Sequence, residues 1–235
     1  MTSPETPPLP PLEPFLVDGP AGPIEGRLEL PDRASFAAPR FLAVFGHPHP
    51  QHGGTMQNSV VVHGARALSE LGGAVARFNF RGVGRSAGRF DEGRGELADY
   101  RAVVAFVRAR WPGERSRPLP FLAAGFSFGS IRALECAALG EADLYLGIAP
   151  PITLTKYVDS TLPGGGLPAK FEGVAALVLA GNDELVTRPS AAELAARFGD
   201  LRSVETIADA GHLFFGKIKE LAQAVERAGR RLLEG

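Results

Sequence analysis

Cysteine is nearly absent. Cys136 is the only one in 235 residues, which excludes intrachain disulfides and clustered thiolate metal sites. An excess of either charge is lacking too: 25 Lys and Arg stand against 26 Asp and Glu, a formal net charge of −1. No basic surplus is therefore available to neutralise a phosphate backbone or an anionic lipid surface, and neither nucleic acid nor membrane is an expected partner. Long apolar runs are missing as well. The longest stretch free of Lys, Arg, Asp and Glu, Phe41 to Ala65, holds four His, two Pro, two Gln and an Asn, and does not describe a bilayer-spanning helix. The first 26 residues have neither the basic start nor the apolar core of a secretory signal, so a cytoplasmic protein is expected.

What is present suits a globular enzyme-sized domain. With 45% hydrophobic and 22% charged residues, the chain can bury a sizeable core. Met1 to Pro14 carries six prolines and no core-forming pattern, and reads as an extended arm of the kind that stays disordered. Residues 15–235 read as a single domain without internal repeat or linker. Short apolar runs bounded by Gly or Pro predict buried strands over Phe41 to Phe45, Ala74 to Phe80, Pro120 to Phe126, Leu144 to Ala149, Ala175 to Ala180 and Ser203 to Ile207. Ile24 to Leu30 alternates with period two and belongs in an antiparallel edge ribbon.

Helical stepping fills the intervals. Leu97, Tyr100, Val104, Val107 and Trp111 step by three and four, as do Ile218, Leu221, Val225, Ala228 and Leu232. Asn58 is placed to cap a helix that Gly72-Gly73 ends, and Pro189 to open one that closes at Gly199. Alternating strand and helix predicts an α/β fold: a mostly parallel sheet, helices on both faces, and a site at the carboxyl ends of the strands. The apolar neighbours of Cys136 predict a buried, inert thiol.

Two segments match Gly-x-Ser-x-Gly, so context must separate them. Gly84-Arg85-Ser86-Ala87-Gly88 is detached from its strand and is followed by Arg89, Asp91 and Gly93 rather than by a helix. Gly125-Phe126-Ser127-Phe128-Gly129 directly ends an apolar strand and precedes the helix-compatible Ser130 to Leu139, the strand, sharp turn and helix that expose a nucleophile. A serine hydroxyl needs a base and a group that orients the base. Asp183 follows the Ala175 to Ala180 strand, and His212 lies in the loop after Ser203 to Ile207. Ser, Asp and His thus stand at three strand ends in the order Ser127, Asp183, His212.

That order, together with Gly46-His47-Pro48-His49-Pro50, Gly53-Gly54-Thr55-Met56-Gln57-Asn58 and Asn79-Phe80-Arg81-Gly82-Val83-Gly84-Arg85-Ser86, resembles the α/β-hydrolase superfamily and, within it, the small lidless bacterial serine hydrolases related to dienelactone hydrolase. The resemblance implies Ser127 as nucleophile, His212 as general base and Asp183 as orienting acid, with no cofactor. Dienelactone hydrolase proper uses a cysteine nucleophile, so its substrate is not inherited. The turn before the acid is one residue tighter than the usual Gly-x-x-Asp, which leaves Glu184 as a rival to Asp183.

Acyl transfer also needs backbone donors for the developing oxyanion. The Phe128 amide is one; the loop Gly46 to Gln51 offers His47, His49 and Gln51, because Pro48 and Pro50 lack an amide hydrogen. The resemblance favours His49. His47, His49 and His52 admit a zinc reading, yet no carboxylate occurs between Arg40 and Arg66, and a rigid turn explains the segment without metal. His63 reads as a helix-surface or packing residue, and Glu96 and Asp99 as solvated charges in a helix's first turn. The segment between Ala149 and Ala175 is too short for a helical cap, so the site is expected to lie open, with Met56, Tyr157, Val186, Leu213 and Phe214 as candidate walls. The expected activity is cleavage of a small ester or thioester, a small-molecule acyl substrate, through an acyl-enzyme. Acyl transfer to an alcohol, a small-peptide amidase and a non-catalytic binding module remain alternatives.

Overall fold

The computed structural model describes residues 12–111, 118–154, 167 and 170–234. Its centre is an eight-stranded sheet in the order β1-β2-β4-β3-β5-β6-β7-β8. The strands are β1 (Leu12–Gly19), β2 (Gly22–Glu29), β3 (Phe41–Gly46), β4 (Gly73–Phe78), β5 (Phe121–Phe126), β6 (Leu144–Ile148), β7 (Phe171–Ala180) and β8 (Phe198–Ile207). β1 and β2 form an antiparallel ribbon that joins β4 antiparallel, and every other pairing is parallel.

The buried runs behave as strands covered on both faces. In β3, Leu42 and Val44 join one core, with Tyr100, Val104 and Ile131 from the helices α2 (Arg94–Arg110) and α3 (Phe128–Ala138). Phe41, Ala43 and Phe45 point the other way, into a core shared with Val61 and Leu68 of α1 (Ser59–Glu70) and Leu221 and Val225 of α5 (Ile218–Leu233). Period-two strands between apolar helix stripes thus give two cores separated by one sheet. Asn58 caps α1 by accepting from the Val60 N–H at 2.9 Å, as its position predicts.

Several boundaries differ from expectation. Leu12 to Pro14, assigned to the arm, are the first residues of β1, where prolines are tolerated because the strand is an edge. β4 ends at Phe78, leaving Asn79 and Phe80 in the following loop. The short helix α4 (Ala191–Arg197) is capped by Ser190, and Gly199, expected to stop it, lies within β8. Glu96 and Asp99 are fully buried rather than solvated. Arg81 reaches across to bond both Asp99 oxygens, at 2.9 and 2.7 Å, and Glu96 accepts the Asp91 and Gly93 N–H groups. Cys136 is buried, and burial pushes its thiol far above the ordinary range.

Candidate active site

The turn from β5 into α3 places Ser127 at φ 51° and ψ −119°, a strained conformation for a residue with a side chain. Its N–H is tied to Ile148 O at 2.9 Å, and its carbonyl receives the Ser130 N–H at 3.0 Å, so neighbouring structure holds the strain. The flanking glycines permit close approach. A Cβ on Gly125 would lie 2.3 Å from the Gly129 carbonyl carbon, and one on Gly129 would lie 2.3 Å from that of Gly46. The turn is therefore pressed against the end of β3, with the amino end of α3 beneath the hydroxyl.

Two other loops meet it. His212 Nε2 lies 2.9 Å from Ser127 Oγ, and His212 Nδ1 lies 2.8 Å from Asp183 Oδ2. The imidazole is buried and packs at 5.4 Å against the Phe126 ring. Asp183 also accepts the Leu185 and Val186 N–H groups at 3.0 and 2.8 Å. Burial works to raise the Asp183 pKa, but the bonds from His212, Val186 and Leu185 together hold it below the usual carboxylate value. Between the rival carboxylates, geometry places Asp183 on the ring, whereas Glu184 accepts the His212 backbone N–H at 3.0 Å. The arrangement can move a proton from a hydroxyl to an imidazole whose cationic form faces a carboxylate.

Ser86 of the other Gly-x-Ser-x-Gly segment is consumed by the fold. Its hydroxyl is buried, donates to Asn79 O at 2.7 Å and accepts the Glu25 N–H at 3.1 Å. Asn79 in turn accepts the Met56 N–H at 2.8 Å, while Arg77 donates to Met56 O at 2.8 Å.

The loop after β3 is equally fixed. His47 is fully buried: Nδ1–H donates to Pro48 O at 2.6 Å and Nε2 accepts the Phe80 N–H at 3.1 Å. Burial lowers its pKa to about 4 despite the Pro48 bond, so the ring is neutral, and both nitrogens are engaged within the protein. Among the described residues no group of His, Cys, Asp or Glu side chains is arranged to hold a metal. The His49 ring stacks on His52 at 4.5 Å and meets the Phe90 and Phe128 rings at 4.9 and 5.0 Å. The two expected amide-bearing residues, His49 and Phe128, are thus neighbours. The Gln51 N–H is directed to His49 Nδ1 at 3.3 Å. His63 sits on α1 with Nδ1 bonded to Ser59 O.

The expected walls divide. Leu213 is 37% exposed beside His212, but Met56 and Val186 are buried, and Phe214 is a core residue with no exposure. Phe214 has a positive φ of 52°, and its ring meets Phe126 at 6.2 Å inside the core. Tyr157 lies outside the described residues. Sequence reasoning gave no role to Phe90, which covers Phe128, or to Arg132, whose guanidinium lies 5.0 Å from the Phe128 ring. The Phe90 contact has no local signal, since it joins segments distant in sequence, whereas Arg132 and Phe128 are an i,i+4 pair on α3 that helical spacing could have found.

No protein-family model matches the chain. An uncharacterized protein of Rickettsia prowazekii is 34% identical over 216 residues, covering 88% of this chain and 84% of that protein. Among solved structures, an α/β serine hydrolase homologue from Coxiella burnetii is 32% identical with a TM-score of 0.79, covering 92% of this chain and 96% of that one. A serine hydrolase without a lid from Xanthomonas campestris is 33% identical with a TM-score of 0.74, covering 97% of this chain and 99% of that one.

Proposed function

The chain belongs to the lidless α/β serine hydrolases, and on that premise we propose that it cleaves a small ester or thioester through an acyl-enzyme on Ser127. The observation carrying the proposal is that one imidazole, that of His212, is hydrogen-bonded to Ser127 Oγ at 2.9 Å and to Asp183 at 2.8 Å. In this reading Ser127 Oγ attacks the carbonyl carbon as its proton passes to His212 Nε2. His212 then gives that proton to the leaving alcohol or thiol as the tetrahedral intermediate collapses. Water enters, loses a proton to the same nitrogen and attacks the acyl carbon; as this second intermediate collapses, the carbon–Oγ bond breaks and His212 returns the proton to Ser127 Oγ, freeing the carboxylic acid.

Asp183 stays ionised throughout, favoured by its lowered pKa, and fixes the tautomer with Nδ1–H toward itself. The Phe128 and His49 amides are the proposed oxyanion donors, and Leu213 the proposed wall nearest the base. Replacing Ser127 with Ala is expected to reduce hydrolysis of a short p-nitrophenyl ester by a factor on the order of 10⁴ or more and to abolish fluorophosphonate labelling. Retention of either property would overturn the assignment.

A further inference from the structure

We propose that Glu184 is a positioning residue for the reaction, holding the backbone of His212 so that the imidazole stands at the right depth over Ser127. The inference rests on the reading of Ser127, His212 and Asp183 given above. The acid loop and the histidine loop are stitched together rung by rung. Gly181 N–H donates to Ile207 O and Asn182 N–H to Ala210 O, both at 2.9 Å. The backbone ladder then stops, because Asp183 folds back to accept the Leu185 and Val186 amides. The next rung is supplied by a side chain: Glu184 Oε2 accepts the His212 N–H at 3.0 Å.

Two consecutive carboxylates therefore grip one histidine at opposite ends. Asp183 holds the ring at Nδ1 and sets its rotation and tautomer. Glu184 holds the main chain and sets where the ring begins. On the far side the loop is already anchored, since Phe214 is fully buried and its N–H donates to Gly211 O at 3.0 Å. Without Glu184 the slack is confined to Gly211, His212 and Leu213, the segment whose placement governs the 2.9 Å contact with Ser127 Oγ. Gly211 makes room for the grip: a Cβ there would lie 2.7 Å from Glu184 Oε2, and φ is not in the left-handed region. Alanine at 211 is thus compatible with the backbone but displaces the carboxylate.

Steady-state hydrolysis of a short p-nitrophenyl ester tests this, with thermal melts to verify folding; Glu184 is on the surface and its loss leaves no buried charge. Glu184→Ala is expected to lower kcat about 10- to 100-fold at nearly constant KM, the signature of a misplaced reacting group. Glu184→Gln, whose amide oxygen still accepts the His212 N–H, is expected to stay within a few-fold of the parent. Gly211→Ala is expected to reproduce Glu184→Ala, and the double variant to be no slower than the slower single variant. An unchanged kcat in Glu184→Ala, a Gln variant as slow as the Ala variant, or multiplicative losses in the double variant would overturn the proposal. Ser127→Ala, run in parallel, separates the two readings. If it is inactive while Glu184→Ala is not impaired, only the positioning role falls; if it remains active, the assignment beneath it falls as well.

Discussion

The Phe80 N–H donates to Nε2 of the fully buried His47 at 3.1 Å, which ties the loop after β4 to the loop after β3. The same ring holds Pro48 O with its other nitrogen, so a single neutral imidazole supports the loop bearing His49. The bond to Phe80 exists only while Nε2 is unprotonated.

This neutral histidine makes stability sensitive to acid. Its pKa falls from 6.5 to about 4 on folding, so between those values the unfolded chain binds the extra proton. The contribution is complete above pH 6.5, declines as pH falls and is gone near pH 4; it is worth roughly 3 kcal/mol. Glu135 acts in the opposite sense: burial, against the pull of Arg132, raises its pKa to about 7, so its carboxylate opposes folding increasingly as pH rises from 4.5. Urea unfolding of the parent and of His47→Gln between pH 4 and 8 isolates the histidine. The variant is expected to be less stable at pH 8 and to show a flatter acid limb, and equal slopes would exclude His47 as the source.

The two Gly-x-Ser-x-Gly segments should separate activity from stability. Ser86→Ala leaves the Glu25 N–H without its acceptor in a part-buried setting, a loss of about 1–3 kcal/mol. Its effect on turnover is expected to be small, because the Ser127 contacts are untouched. A chemical-melt and ester-hydrolysis comparison checks this, and loss of turnover in a folded Ser86→Ala protein would contradict it.

Much of this site could be read from the chain because its three residues follow strands whose buried runs are unmistakable. What lies before and after each Gly-x-Ser-x-Gly segment distinguishes the nucleophile from its double. Direction was harder to read. Phe214 reads as a wall from its place beside His212, but it is fully buried against Phe126. Asp99 reads as a solvated charge at a helix start, but it is buried and paired with Arg81 from a preceding loop. β1 left little signal because it is half-exposed and proline-containing, with alternate residues open to solvent. Glu184 reads from sequence only as a rival acid, since nothing in sequence tells a bond to a ring nitrogen from a bond to the same residue's amide.

Asp183→Asn gives a sharper test of which carboxylate serves the ring. The amide can present its NH₂ group to Nδ1, favouring the tautomer with hydrogen on Nε2, which cannot accept from Ser127. A loss on the order of 10⁴ in kcat is expected with the fold retained. Because Glu184 is bound to the His212 amide, it is not expected to take over, and near-normal rates in this variant would show that it does.

The glycines of the turn carry a prediction that distinguishes crowding from backbone strain. Gly129 has no positive φ, so alanine there is conformationally ordinary, yet its Cβ would sit 2.3, 2.4 and 2.6 Å from the Gly46 carbonyl carbon, the Gly46 oxygen and the His47 oxygen. All three are main-chain atoms at the end of β3 and cannot rotate aside, so α3 must retreat from the sheet. Gly140 is the converse: φ is 78° and nothing lies within 4 Å of a Cβ, so alanine costs only the left-handed strain of about 1–2 kcal/mol. Gly129→Ala is expected to destabilise more, by about 3 kcal/mol or beyond. It is also expected to slow ester hydrolysis by separating Phe128 from the His49 loop, whereas Gly140→Ala leaves turnover unchanged. Denaturant midpoints and initial rates on both variants decide it, since a Gly129→Ala protein as stable and active as Gly140→Ala would mean that the turn is not pressed against β3.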